Sequence, residues 1–280
     1  YINGDCNWAC KENIAGQECS NPNNWNDRFL EWGNEDMVIN ECFGLCGSGN
    51  CDEVPPPFGY DGLNLPIVYI DTYGENIVDD PRIPAFMGII DNGNELNFLD
   101  DDYNDYEGLI TIELRGNSSQ SNPKKPYRIE TVDQNGENNN VSLLGLPEEN
   151  DWILYPPYQD KSLMRNVLTY KLSNDMNQYA SRTKFCELFI NDEYKGIYVL
   201  MEKIKRDRNR VDISKLNPDE ISGDDLTGGY ILKFDWPWTG ENNGGFESGV
   251  DGKIYNYHYP KPDDIAPEQE NYISQFINDF

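Results

Sequence analysis

Apolar residues alternate with polar ones over several short runs of this chain, separated by glycine, asparagine and proline. ITIEL (110–114) and PYRIETV (126–132) alternate with period two, which predicts two half-buried strands. Between them, residues 115–122 are small and polar, as a turn requires. LPIVYIDT, beginning at Leu65, and AFMGIID (85–91) predict two more strands, as do GGYILKFDWPW and DGKIYNYHYP further on. KFCELFIND and EYKGIYVLMEKI predict a hairpin turning at Asn191-Asp192, residue types suited to a tight two-residue loop.

Helical spacing occurs in SLMRNVLTYKLSNDM. It predicts a helix with Leu163, Val167, Tyr170 and Met176 toward the core and Asp160 as N-cap. A second helix is predicted over 267–280, with Pro267 in the first turn and Glu268 and Glu270 at the positive end of its dipole. The sum is an α+β chain: an antiparallel sheet with packed helices.

The first 52 residues differ. Cys6, Cys10, Cys19, Cys42, Cys46 and Cys51 lie in a segment rich in Gly, Asn and Trp, with little apolar periodicity. Such a segment needs staples, and disulfides are expected, though sequence does not choose their pairing. Zinc is the alternative for the short spacings, but the segment has no histidine. Cys186, in KFCELFI, is expected to be an inert core thiol. The organisation expected is a Cys-rich module (1–52), a Pro/Gly linker (53–64) and a large domain (65–280).

With 50 acidic and 22 basic residues the formal net charge is −28, which argues against nucleic acid and anionic membranes as partners. It suits calcium, basic substrates or a saline habitat. No apolar run is long enough to span a membrane. The cysteine usage points to a secreted or cell-surface protein. Asp100, Asp102 and their neighbours, and Asp235, are weak metal candidates beside the reading of solvated or strand-end acids. Trp236-Pro237-Trp238 could stack on a sugar or peptide ring, or simply clasp a strand end. Asn117 and Asn140 begin glycosylation sequons.

Against that acidity, Arg115, Lys124 and Lys125 cluster around the 115–122 turn. Small residues and a local cation are what an anion site needs, although such a tip is also commonly just a tip. Four blocks occur in order: RGxSSxxxxKKxYxIE, LLGLPxExDWxLxxPYxDKSLMRN, CELFINDEYKGIYVLMEKIKRD and GGYILKFD. Together they closely resemble the spore coat protein H (CotH) kinase-like family. The resemblance implies the nucleotide-binding part of an atypical protein kinase, with ATP and Mg or Mn as cofactors. It implies phosphorylation of serines on extracellular or surface proteins.

Carried over by position, Arg115, Ser118 and Ser119 would form the phosphate-covering turn and Lys125 would pair with the phosphates. Asp160 or Arg165 would adjoin it, and Glu202 would lie near the adenine. The family's metal-binding and catalytic acids lie in Asn-x-Asp and Trp-Asp-x-Asp stretches that do not occur here. They are expected beyond Phe280, so no catalytic residue is identified and the chain alone is expected to lack transferase activity. The alternative is a structural or adhesive surface protein, self-assembling on a kinase-like scaffold.

Overall fold

The structure, a computed structural model, describes residues 62–235 and 244–280, plus the backbone of four residues nearer the N-terminus. The chain divides into two compact units, Tyr1–Asp61 and Gly62–Phe280. In the first, β1 (Ser20–Asn21) pairs antiparallel with β2 (Asp27–Arg28). The six N-terminal cysteines and the Trp236-Pro237-Trp238 group fall outside the described residues.

In the second unit seven strands close into a barrel. They are β3 (Ile67–Asp71), β4 (Ile83–Ile90), β5 (Tyr106–Leu114), β6 (Tyr127–Val132), β7 (Asp151–Tyr155), β8 (Thr183–Ile190) and β9 (Glu193–Glu202). Around the barrel the order is β3-β4-β5-β6-β7-β9-β8. Neighbours run antiparallel except at the closure, where β3 lies parallel to β8, from Ile67 opposite Glu187 to Ile70 opposite Ile190. The antiparallel sheet expected from sequence is thus a closed barrel with one parallel junction. Closure pairs β3 with the second half of β8, so neither strand is left as a free sheet edge.

Alternation sorts the side chains. On β6, Tyr127, Ile129 and Thr131 point inward, while Arg128 and Glu130 remain partly exposed outside. The barrel interior holds Val68, Ile70, Met87, Ile112, Ile129, Trp152, Leu188 and Leu200, among others. Cys186 is buried there as a free thiol, as expected. The β8–β9 hairpin turns at Asn191 (φ 50°) and Asp192 (φ 65°), both left-handed, the geometry of a tight two-residue turn.

Helix α1 (Arg165–Asp175) lies on the outside of β7 and β9. Val167 and Tyr170 pack against Ile153, Val199 and Met201. The expected inward stripe is only half realised: Met176, just past the helix end, is 67% exposed. The N-cap position is Met164 rather than the expected Asp160, although Asp160 Oδ2 accepts the Arg165 N–H at 2.8 Å.

Beyond the barrel, β10 (Ile231–Lys233), β11 (Gly245–Glu247) and β12 (Ile254–Tyr259) form a small antiparallel sheet in the order β10-β12-β11. Helix α2 (Pro267–Asp279) begins where the sequence predicted. Its buried Gln269 donates to the carbonyls of Asn217 (2.7 Å) and Glu220 (3.1 Å).

Candidate functional site: a cleft beside the barrel wall

Strand register builds one wall of a cleft. Glu113, Arg128, Ile153 and Met201 stand opposite one another across β5, β6, β7 and β9, a continuous row on the barrel's outer face. All four border a cleft of about 590 Å³, within the range typical of small-molecule sites. The facing wall is Ile231, Leu232 and Lys233 of β10 with His258 of β12. Leu114, Arg115, Gly116 and Tyr170 border it too, as do Ser181, Glu202, Lys203 and Ile204. Both walls contribute apolar residues, and the basic residues Arg115, Arg128, Lys203 and Lys233 also border the cleft.

The row continues into an ion network. Arg128 meets Glu113 (3.3 Å), Glu130 (2.9 Å) and Asp151 (3.1 Å). Arg82 adds Glu113 (3.2 Å) and Glu130. Lys203 and Lys205 each reach Asp151 at 2.8 Å. Burial alone would raise Asp151, but hydrogen bonds from Glu130, Lys203 and Lys205 hold its carboxyl well below the usual range. Burial and the neighbouring Asp151 push Glu130 up instead. Burial lowers Lys203, and Asp151 opposes that.

The turn between β5 and β6 is shaped by its own contacts. Gly116 has φ 98°, and a Cβ there would sit 2.1 Å from Ser119 Oγ, so glycine is required. Gln120 donates from Nε2 to Gly116 O (2.5 Å) and to Asp79 (2.8 Å). Ser118 and Ser119 are exposed on a short 3-10 turn, Ser118–Ser121. With Arg115 they line a second concavity of about 380 Å³ beside the cleft. Arg115 therefore borders both spaces. Its side chain reaches solvent, yet the protein around it lowers its pKa, while Tyr170 and Asp235 pull the other way. Among the described residues its guanidinium has no ion-pair partner.

Of the residues singled out in the sequence, Arg115 and Glu202 reach the cleft, and Ser118 and Ser119 reach the adjoining space. Lys125 borders neither, since its Nζ donates to Gln120 O at 2.7 Å and braces the turn. Asp160 bonds Ser162 and Arg165, not Lys125, and Arg165 is largely exposed. Lys124 is also engaged, donating to Ile197 O at 2.5 Å above the Tyr198 ring.

Glu202 is fully buried, its carboxylate held by Arg182 (2.8 Å), Arg210 (2.8 Å) and the Arg182 N–H (3.0 Å). It fixes the start of the segment that leaves the barrel and has little capacity left for a ligand. Sequence reasoning missed Arg128, Lys203, His258 and Ser181. A signal existed for Arg128, which occupies an outward position in an otherwise buried alternating strand.

Among the described residues no group of three or more His, Cys, Asp or Glu converges as a metal site. The acidic loop near Asp100 and Asp102 is knitted by its own bonds. Asp101 accepts from Asn92 (2.7 Å) and the Phe98 N–H (2.9 Å), and Asp105 from the Leu144 N–H (2.8 Å). Asp235 pairs with Lys233 at 3.2 Å. Asp100, Asp102 and Asp235 thus belong to no such converging group among the described residues. No described helix is long and apolar enough to cross a membrane.

A search of curated proteins finds no match. The model of the CotH kinase protein family matches residues 112–280, from within β5 through α2 and including nearly every residue that borders the cleft. With more than half its length matched, this chain belongs to the CotH kinase family.

Proposed function

We propose that the cleft between the barrel wall and the β10–β12 sheet binds a nucleoside triphosphate, as the nucleotide-binding part of an atypical protein kinase. The observation that carries this is the pairing of two apolar walls, Ile153 and Met201 against Ile231 and Leu232, with the Arg115 guanidinium nearby, which has no ion-pair partner among the described residues. A base slides between the apolar walls, and the phosphates extend toward Arg115 and the Gly116 turn. Arg128 and Lys203 add positive charge along the wall, fixed in place by Glu113 and Asp151.

The cleft's three acids are all engaged: Asp79 by Gln120, Glu113 by Arg82 and Arg128, and Glu202 by Arg182 and Arg210. The described residues thus supply no free carboxylate to the cleft and no protein cage for a divalent ion. No phosphoryl-transfer step is assigned to them. That saturation also favours a second reading, in which the domain binds nucleotide as a scaffold without transferring it. In the intact protein the kinase reading extends to serines of extracellular or surface proteins, with secretion and three N-terminal disulfides as parts of the same proposal.

Calorimetric titration of the 280-residue chain with Mg·ATP tests the binding. Saturable one-to-one binding, weakened at least about tenfold by Arg115→Ala, is expected from loss of a charge-assisted contact. Absence of binding, or an unchanged affinity in a folded Arg115→Ala variant, defeats the reading.

A further inference from the structure

We propose that His258, together with Ser181, reads the base in this cleft and selects a ring bearing an amino group beside a bare ring nitrogen, the pattern of adenine. The inference rests on the nucleotide reading above and adds the residues that give it base specificity.

The argument begins with proton positions. His258 Nε2 lies 2.8 Å from Ile204 O. A carbonyl oxygen can only accept, so Nε2 carries a proton. Burial lowers the ring's pKa, with Lys261, Lys233 and Lys203 acting in the same direction and the Ile204 carbonyl opposing. The neutral ring then has a bare Nδ1, a pure acceptor. Among the described residues Nδ1 has no partner, and His258 borders the cleft.

Ser181 supplies a second, independent observation. It is 1% exposed and borders the cleft, yet its Oγ has no hydrogen-bond partner among the described residues. Buried hydroxyls seldom go unpaired, and one beside a cavity calls for a ligand atom or water.

Both residues adjoin one stretch of chain. Ser181 precedes Arg182, whose backbone exchanges bonds with Glu202, donating to Oε2 (3.0 Å) and accepting from its N–H (3.2 Å). His258 holds Ile204, two residues on. The Glu202 carboxylate is saturated by arginines and the Ile204 carbonyl is already engaged, while Nδ1 is an acceptor with no partner among the described residues. An adenine amino group donates to Nδ1, and the neighbouring ring nitrogen accepts from Ser181 Oγ. Hypoxanthine instead turns a carbonyl oxygen toward the Nδ1 lone pair. The serine hydroxyl can rotate to suit either base, so discrimination resides at His258.

The test is calorimetric titration with Mg·ATP and Mg·ITP at about pH 7.5, where a histidine of lowered pKa is neutral. The wild-type chain is expected to prefer ATP by about tenfold, the scale of one hydrogen bond and the repulsion that replaces it. His258→Phe is expected to bring the two within about twofold while still binding the triphosphate. Ser181→Ala is expected to weaken ATP about threefold.

Equal wild-type affinities, or a full preference retained in His258→Phe, overturn the assignment and leave the nucleotide reading intact. Failure of both nucleotides to bind the wild-type chain overturns both.

Discussion

Arg210 donates through Nη1 to Glu202 Oε1 over 2.8 Å, at a point where neither side chain touches water. The arginine also lies 4.8 Å from the Trp152 ring centroid, and Arg182 holds the same carboxylate from another side. This cluster ties the segment leaving β9 to the barrel core. Removing the acid strands the Arg210 cation out of water and leaves the partly exposed Arg182 without its carboxylate. Glu202→Ala is therefore expected to cost about 3–5 kcal/mol in urea unfolding. A loss under about 1 kcal/mol, the scale of a surface pair, would show that the cluster does not form.

Arg115 and Lys125 make opposite predictions for nucleotide affinity. Arg115 borders the cleft with a guanidinium that has no ion-pair partner among the described residues, while Lys125 braces the turn through Gln120 O. Lys125→Ala is expected to weaken Mg·ATP binding by less than about threefold, against about tenfold or more for Arg115→Ala. The reverse order in side-by-side titrations would make Lys125 the phosphate contact and would mean that the turn rearranges on binding.

Acid stability is expected to depend on Asp151. Its carboxyl is held below the ordinary range in the folded chain, so the stability it contributes is complete above the unfolded carboxylate pKa of about 3.9 and is lost as pH falls below it. Glu130 is shifted upward, so its contribution has the opposite sign and is lost as pH rises through its folded value. The two shifts oppose each other, and the acid limb is expected to carry the Asp151 contribution. Asp151→Asn should lower stability at neutral pH and flatten the acid limb of urea midpoint against pH. A limb as steep as in the wild-type chain would assign the acid sensitivity elsewhere.

Thiol counting addresses both units of the chain. Burial pushes the Cys186 thiol up to about 12, so it should resist alkylation in the native protein. In denaturant without reductant, mass spectrometry is expected to find one alkyl group, and with reductant seven, the number of cysteines in the chain. Seven additions without reductant would remove the N-terminal disulfides and the argument for secretion that rests on them.

Elements with clear alternation were legible. The β5 and β6 runs, the Asn191-Asp192 turn and α2 with Pro267 at its start all follow from local chemistry. DWILY, which forms β7, was not read as a strand because Asp151, Trp152, Ile153 and Leu154 are all buried. The core covers one face, and the ion network and α1 cover the other, which erases period two. Barrel closure was not legible either, because pairing between β3 and β8 is a long-range choice that no local pattern encodes. The same limit applied to the site. Cations and acids were visible along the chain, but which were already paired was not, so Lys125 and Glu202 stood out while Arg128 and His258 did not.

The parallel junction of β3 with β8 also sets where this domain can be cut. The family match begins at residue 112, inside β5, whereas two of the seven staves, β3 and β4, lie before it. A chain trimmed to the matched residues would unpair β8 over Glu187 to Ile190 and leave β5 incomplete, turning a sealed wall into two adhesive edges. The matched segment is thus shorter than the smallest piece that can close its own barrel. Folding inherits the same dependence. Ile67 and Glu187 pair across roughly 120 positions, so a strand near the start of the domain must wait for one made much later.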